Sequence, residues 1–225
     1  MLSSSFISII ILSFIAFINS DSEPAFDVSK LKISSKTDQI MLVIPKKYDS
    51  YPAELYYYIK SGNKWNEFLK TKATIGRDGL GLQSEYDMKS PVGCFKFNKY
   101  FGIAKNPGTN MTYIQLNSSL YWVSDPKSSR YNQMVNIETF KDFNEQISEH
   151  LIEEAIAYQY VMSINYNEEA IPYKGSAIFL HCFKKSVPFT AGCVAVSKDD
   201  MINILKNVSE DAMIIIDVKD NIYNY

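Results

Sequence analysis

The chain has 225 residues, 46% of them hydrophobic, with 23 Lys+Arg against 25 Asp+Glu and a formal net charge of −2. That balance, with no basic stripe interleaved with aromatics, excludes the electrostatic footprint of a nucleic-acid-binding protein. Sixteen Tyr and thirteen Phe suit a strand-rich fold with a sizeable core.

The chain opens MLSSSFISIIILSFIAFINS. The run from Phe6 to Phe17 is nearly unbroken apolar sequence, short for a bilayer span and followed by polar Asp-Ser-Glu-Pro. That is the pattern of a secretory signal peptide over residues 1–20, cut after Ser20. It carries no lysine or arginine at its start, and a single N-terminal anchor is the alternative. No later stretch is apolar for long enough to cross a membrane. The expectation is therefore a secreted, extracellular protein with no stable membrane insertion after cleavage.

Residues 21–37 read as a polar lead-in, and residues 38–225 as one domain. Ile40–Ile44 predicts a buried strand closed by Pro45. Glu54–Ile59 and Trp65–Leu69 flank Ser61-Gly-Asn63, a hairpin signal. Gly76, Gly79 and Gly81 punctuate a loop; no helix follows, so they are not a phosphate cradle. Gly93–Phe97 and Met111–Leu116 alternate as strands. Asp87 and Asp125 each precede a turn, where local hydrogen bonding is the ordinary role of aspartate. Phe143–Ala155, which holds His150, predicts a solvated helix, and Tyr158–Ile164 a return to strand. Ser197-Lys-Asp-Asp200 is a capping-box pattern; behind it Met201, Ile204, Leu205 and Val208 share one helical face. Ala212–Val218 predicts a last buried strand. The fold class is mainly β with a few helices (α+β).

The chemistry concentrates in Gly175–Ser197, GSAIFLHCFKKSVPFTAGCVAVS. An apolar run delivers His181, Pro188 interrupts the crossing, and Thr190-Ala-Gly192 turns into Cys193. A free thiol has a pKa of about 8.5, so little is thiolate at neutral pH. A histidine within reach can take the proton and leave an ion pair, making the sulfur an acyl acceptor. Gly192 lets backbone approach a substrate carbonyl, and amides of the turn, including that of Cys193, can receive an oxyanion. On spacing alone, a buried structural histidine beside a small apolar cysteine is the commoner arrangement.

The inventory narrows the candidates to two histidines, His150 and His181, and three cysteines, Cys94, Cys182 and Cys193. Cys182 follows His181, so in a strand it points to the opposite face. That geometry and the lack of Cys-x-x-Cys argue against a metal site, and no cofactor is expected. In an oxidising compartment Cys94 and Cys182 can pair and spare Cys193; two buried free thiols are the alternative.

GSAIFLH followed by TAGCVAVS resembles the motif of the L,D-transpeptidase (YkuD-type) catalytic domain, with a histidine on one strand and a Ser/Thr-x-Gly-Cys turn on the next. Glu85-Tyr-Asp-Met-Lys-Ser-Pro-Val-Gly93 is similar to the family's E-G-D-G-K-T-P-x-G segment. Tyr121-Trp-Val-Ser-Asp-Pro126, with Tyr131-Asn132, is similar to a loop of one bacterial branch. The resemblance covers Gly76–Ser197 and implies the family's β-sandwich/barrel fold. It also implies acyl transfer from a peptidoglycan stem peptide by Cys193, with His181 as base. Thr190 and Gly192 would form the oxyanion turn, and Ser176, Asp125, Tyr131 and Asn132 would line the substrate cleft. The commoner motif has a histidine at the position of Ala191 and an arginine at that of Ala195, a cation suited to a substrate carboxylate. With water in place of the amine acceptor, the same site is an L,D-carboxypeptidase. A binding domain without turnover is the reading of another class.

Overall fold

The computed structural model describes residues 25–184 and 186–225, so the expected signal peptide lies outside the described residues. The apolar run after Thr37 forms β1 (Gln39–Pro45). The hairpin follows as β2 (Pro52–Ser61) and β3 (Lys64–Thr74), turning through Gly62 at φ +59°, a left-handed position that favours glycine. Next come β4 (Gly93–Gly102), β5 (Tyr113–Gln115), β6 (Leu120–Trp122), β7 (Met134–Asn136) and β8 (Glu149–His150). The chain ends with β9 (Val161–Ile164), β10 (Phe179–Cys182), β11 (Val194–Val196), α1 (Lys198–Asn207) and β12 (Met213–Ile216).

The fold is mainly β, with one α-helix and short 3-10 turns among the described residues. The large sheet runs β12-β1-β2-β3-β11-β10-β9-β4-β5, and β12 also pairs with β4, which closes it on itself. β6, β7 and β8 form a separate small sheet beside it. Alternation along each strand divides the side chains into distinct clusters. Met41, Val43, Tyr57, Leu180, Cys182 and Val194 join one, and α1 adds Met201, Ile204 and Leu205 to it. Ser197 caps α1, its hydroxyl accepting from the Asp200 amide at 3.1 Å.

Two expectations are corrected, and of the two alternatives left open for the cysteines one is found. Residues 25–37 are not simply a polar lead-in: Phe26, Val28, Leu31 and Ile33 are buried against Ile40, Tyr58 and Ile222. Two 3-10 turns produce that spacing, which matches neither the helix nor the strand period. Phe143–Ala155 is not a helix. Asn144 caps a 3-10 turn at Glu145–Ile147, and Glu149–His150 pairs with β6 as β8. The His150 ring stacks on Tyr121 at 4.3 Å, and its Nε2 lies 2.9 Å from the Ser118 carbonyl, so it is no solvated helix residue. Finally, all three cysteines are free. Cys94 and Cys182 contribute to different clusters, so the postulated pairing is not made.

Candidate active site

β10 and β11 are parallel neighbours, with Leu180 opposite Val194 and His181 opposite Ala195. Strand alternation puts Phe179, His181, Cys193 and Ala195 on one face, and Leu180, Cys182, Val194 and Val196 on the other. Phe179 and Cys193 accordingly share one cluster, and Cys182 and Val194 another. The imidazole and the Cys193 thiol line the same cavity of about 500 Å³, and Cys182 does not. A second cavity of about 330 Å³, toward Ser176 and Glu85, shares Cys193, Ala191, Met88, Ser148 and Glu149 with the first. The thiol thus sits where two halves of one groove meet.

His181 is 8% exposed, and its Nδ1 lies 2.9 Å from the Cys182 carbonyl. Only a protonated Nδ1 can donate there, which leaves Nε2 as the neutral ring's acceptor. Burial pushes the imidazole down to about 4, so at neutral pH it is uncharged and able to take a proton. Cys193 is also 8% exposed. Its S–H donates to the Ala177 carbonyl at 3.2 Å, and its sulfur accepts from the Phe179 amide at 3.3 Å. Burial pushes the thiol up, the Glu149 carboxylate adds to this, and the Phe179 amide opposes it. No hydrogen bond joins this thiol to His181 among the described residues. The resting pair is a neutral thiol and a neutral imidazole facing one cavity, not the ion pair expected from the sequence.

The nucleophile turn is held from two sides. Thr190 Oγ1 donates to the Cys193 carbonyl at 2.7 Å and accepts from the Gly192 amide at 3.1 Å. The Gly192 N–H is therefore occupied, which leaves the oxyanion role expected of this turn to its other amides, that of Cys193 first among them. Gly192 has φ +155°, and a Cβ there would stand 2.9 Å from the Lys89 carbonyl oxygen. Ser90, fully buried, donates to the Gly192 carbonyl at 2.6 Å and accepts from the Gly76 amide at 3.0 Å.

Of the four proposed cleft residues, one lines the groove. Ser176 faces the smaller cavity, with its hydroxyl 2.6 Å from Glu85 Oε1 and 2.8 Å from Ser124 Oγ. Tyr131 lies behind it, 2% exposed, donating to Glu85 and accepting from the Gly175 amide at 3.2 Å. Asn132 has φ +57°; its Oδ1 accepts from Trp122 Nε1 and the Ala177 amide, and its Nδ2 donates to the Tyr166 and Asn167 carbonyls. Asp125 caps its own turn, accepting from the Lys127 and Asn144 amides. Tyr131, Asn132 and Asp125 line neither half of the groove. Asp87 is likewise a local cap: the Ser84 hydroxyl and the Gln83 and Ser84 amides hold its carboxyl below the usual range.

Sequence reasoning missed Glu149 and Ser90. Glu149 lines both cavities and accepts the Tyr158 hydroxyl on Oε2; burial pushes its carboxyl up to about 7. Tyr158 is 5% exposed and packs edge-on against His181, ring centroids 5.7 Å apart. No helix of the described residues is long and apolar enough to cross a membrane, and no group of three or more His, Cys, Asp or Glu among them could hold a metal ion.

Residues 49–216 match the YkuD family, the L,D-transpeptidase catalytic domain. A search of curated proteins returns no match. Among solved structures, the chain is similar to Bd1075 of Bdellovibrio bacteriovorus, at 16% identity and TM-score 0.45, over 86% of this chain and 54% of that one. It is similar to Pgp2, a helical cell shape determining protein of Campylobacter jejuni, at 14% identity and TM-score 0.46, over 82% and 50%. It is also similar to an L,D-transpeptidase from Mycobacterium smegmatis, at 13% identity and TM-score 0.37, over 80% and 59%. The chain spans about half the length of the first two.

Proposed function

The chain belongs to the YkuD family of L,D-transpeptidase catalytic domains, and on that premise we propose that Cys193 carries out acyl transfer on a peptidoglycan stem peptide. The observation that supports this is the facing of the Cys193 thiol and a neutral His181, whose Nε2 is the acceptor, across one groove. His181 Nε2 takes the thiol proton as sulfur bonds to the peptide carbonyl carbon, and the Cys193 amide receives the oxyanion. The carbon–nitrogen bond to the terminal residue breaks, and the leaving amine takes the proton from His181. An acceptor amine then attacks the thioester, gives its proton to His181, and the sulfur leaves and is reprotonated. The Thr190 and Ser90 bonds hold the turn so that the sulfur and the amide keep one geometry. Such substrates lie outside the cell membrane, and the apolar run from Phe6 to Phe17 supports export, so a secreted location is part of the proposal.

The test is covalent labelling. A carbapenem, an acylating β-lactam, should add its mass to the protein and map to Cys193; Cys193→Ala should abolish the adduct and Cys182→Ala keep it. An adduct that survives Cys193→Ala, or none on the unaltered protein, overturns the assignment. One observation favours a second reading, a binding domain without turnover: the thiol is buried and donates to Ala177 instead of His181. Stem-peptide binding with no adduct and no product would support it. With an acylated protein, a defined tetrapeptide separates transfer from hydrolysis: exchange with an added D-amino acid supports transfer, and only shortened peptide supports an L,D-carboxypeptidase.

A further inference from the structure

A third cavity, of about 400 Å³, lies between β4, β9 and the small sheet and shares no lining residue with either half of the groove. Ser163 lines it. Strand register sets Ser163 opposite Lys99, so the two side chains stand side by side on one face of the sheet. Alternation along β9 gives Ser163 the face of Val161, which packs with Phe101 and Trp122. Ser163 is 1% exposed, and its hydroxyl has no hydrogen-bond partner among the described residues. A buried hydroxyl left without a partner costs stability, and an acceptor brought to it recovers that cost. The register of β4 on β9 shifts just before Lys99, and Asn98, the extra residue of this bulge, lines the same cavity. Three charged side chains also line it: Lys99, Arg130 and Glu168. None of them is in an ion pair among the described residues. Arg130 Nη1 donates to Gln133 Oε1 at 3.2 Å, and Glu168 Oε2 accepts from Asn165 Nδ2 at 3.2 Å.

We propose that this cavity binds a free amino acid in its zwitterionic form. Lys99, Arg130 and the Ser163 hydroxyl receive the carboxylate, and Glu168 receives the ammonium. A plain anion meets the repulsion of Glu168, and a plain cation meets that of Lys99 and Arg130. A ligand with both charges answers all three. The volume is that of a small-molecule site, and its charged and amide lining suits a polar occupant. Arg130 and Glu168 are exposed and Lys99 is half-buried, so each ion pair contributes modestly. The Ser163 hydroxyl has already lost its water and gains most from a carboxylate oxygen. Rotation about its χ1 carries Oγ between staggered positions, which lets a covered hydroxyl turn toward the cavity. The site stands apart from acyl transfer, since none of these residues lines the groove that holds the thiol.

The experiment reads binding alone by magnetic resonance, in the full-length protein carrying Cys193→Ala with its tryptophans isotope-labelled at the indole nitrogen. The chain has two tryptophans, Trp65 and Trp122. The Trp122 indole N–H donates to Asn132 Oδ1 at 3.0 Å, and both residues line the cavity. Trp65, on β3, does not line it and serves as the internal reference. Trp65→Phe assigns the two signals. Glycine, D-alanine and L-alanine are titrated in turn, and at least one should shift the Trp122 signal saturably while Trp65 stays in place. Acetate and methylamine, with one charge each, should bind at least about tenfold more weakly than that amino acid. Ser163→Ala removes a hydroxyl that has no partner, so the variant should fold without loss of stability. Ser163→Ala and Lys99→Met should each weaken the amino acid by about threefold or more. Glu168→Gln should weaken the amino acid to the same degree and leave acetate unweakened. No saturable shift of Trp122, acetate binding as well as the amino acid, or an affinity indifferent to any of the three substitutions would each overturn the proposal. Absence of a carbapenem adduct on Cys193 would instead sink acyl transfer and leave a measured amino-acid site standing.

Discussion

Ser90 Oγ lies 2.6 Å from the Gly192 carbonyl oxygen, joining residues 102 positions apart. The hydroxyl donates to the nucleophile turn and accepts from the Gly76 amide, so one buried atom ties the 76–90 loop to the residue before the thiol. Ser90→Ala leaves the Gly76 amide and the Gly192 carbonyl each short of a partner, at a cost of about 1–3 kcal/mol. Denaturant unfolding should show that loss with an unchanged m-value. The rate of carbapenem acylation should also fall, because the turn is less firmly held. Unchanged stability would mean that another group or water takes over both bonds.

Glu149→Gln should alter stability in a pH-dependent way. The Glu149 carboxyl is pushed up by burial from 4.5 to about 7, so the folded protein holds this proton more tightly than the unfolded chain. Its favourable contribution is complete below the unfolded value and is lost as pH rises through the folded one. Glutamine resembles the protonated form at every pH. The variant should match the parent near pH 4.5 (the unfolded value) and exceed it by on the order of 1 kcal/mol at pH 8, discounted because the side chain is partly exposed. His181, pushed down to about 4, destabilises both proteins alike as pH falls from 6.5 and so drops out of the difference. Thermal unfolding of both proteins at the two pH values checks this. A gain that is larger at the acid end would reverse the assigned direction.

Where residues repeat at strand or helix period, the sequence was readable. The β2–β3 hairpin turns at its Gly62, α1 begins at its Ser197 cap, and alternation alone separated Cys193 from Cys182. Resemblance supplied the role of Cys193, since spacing could not tell a reactive pair from a structural one. What stayed illegible depends on partners distant in sequence. Glu149 reads as one acidic residue in a polar stretch until Trp122 pairs with it and Tyr158 donates to it. Ser90 looks like any turn serine until Gly192 arrives from the far end of the chain. Residues 25–37 bury four apolar side chains at an irregular spacing that no period test detects.

Asn132 was expected in the cleft, and its geometry assigns it elsewhere. Its Oδ1 holds the Ala177 amide at 3.1 Å, and the Ala177 carbonyl is the acceptor for the Cys193 S–H. Both Asn132 and Ala177 sit at positive φ, +57° and +54°. Asn132→Ala removes four hydrogen bonds and puts alanine at a left-handed position that asparagine tolerates better, so about 2–4 kcal/mol should be lost. Because the side chain lines neither half of the groove, peptide affinity of the protein that remains folded should change less than twofold, a shift within ordinary error of additivity. A large loss of affinity with full stability would return Asn132 to the cleft.

The pH at which Cys193 reacts distinguishes a resting ion pair from a neutral one. Burial and the Glu149 carboxylate both raise the thiol, and the imidazole that could offset them is itself neutral because burial lowers it to about 4. Without substrate, alkylation by iodoacetamide should therefore have a midpoint above the free-thiol value of about 8.5. Cys94 and Cys182, both pushed up to about 11 by burial, must be followed separately by peptide mapping. Glu149→Gln removes a negative neighbour, so the Cys193 midpoint should drop by roughly half a unit to one unit, the ordinary size of a single nearby charge across a partly wet cavity. A Cys193 midpoint below 7, in the range of activated thiolates, would require a charged imidazole beside it. The neutral Cys193–His181 pair would then have to be abandoned.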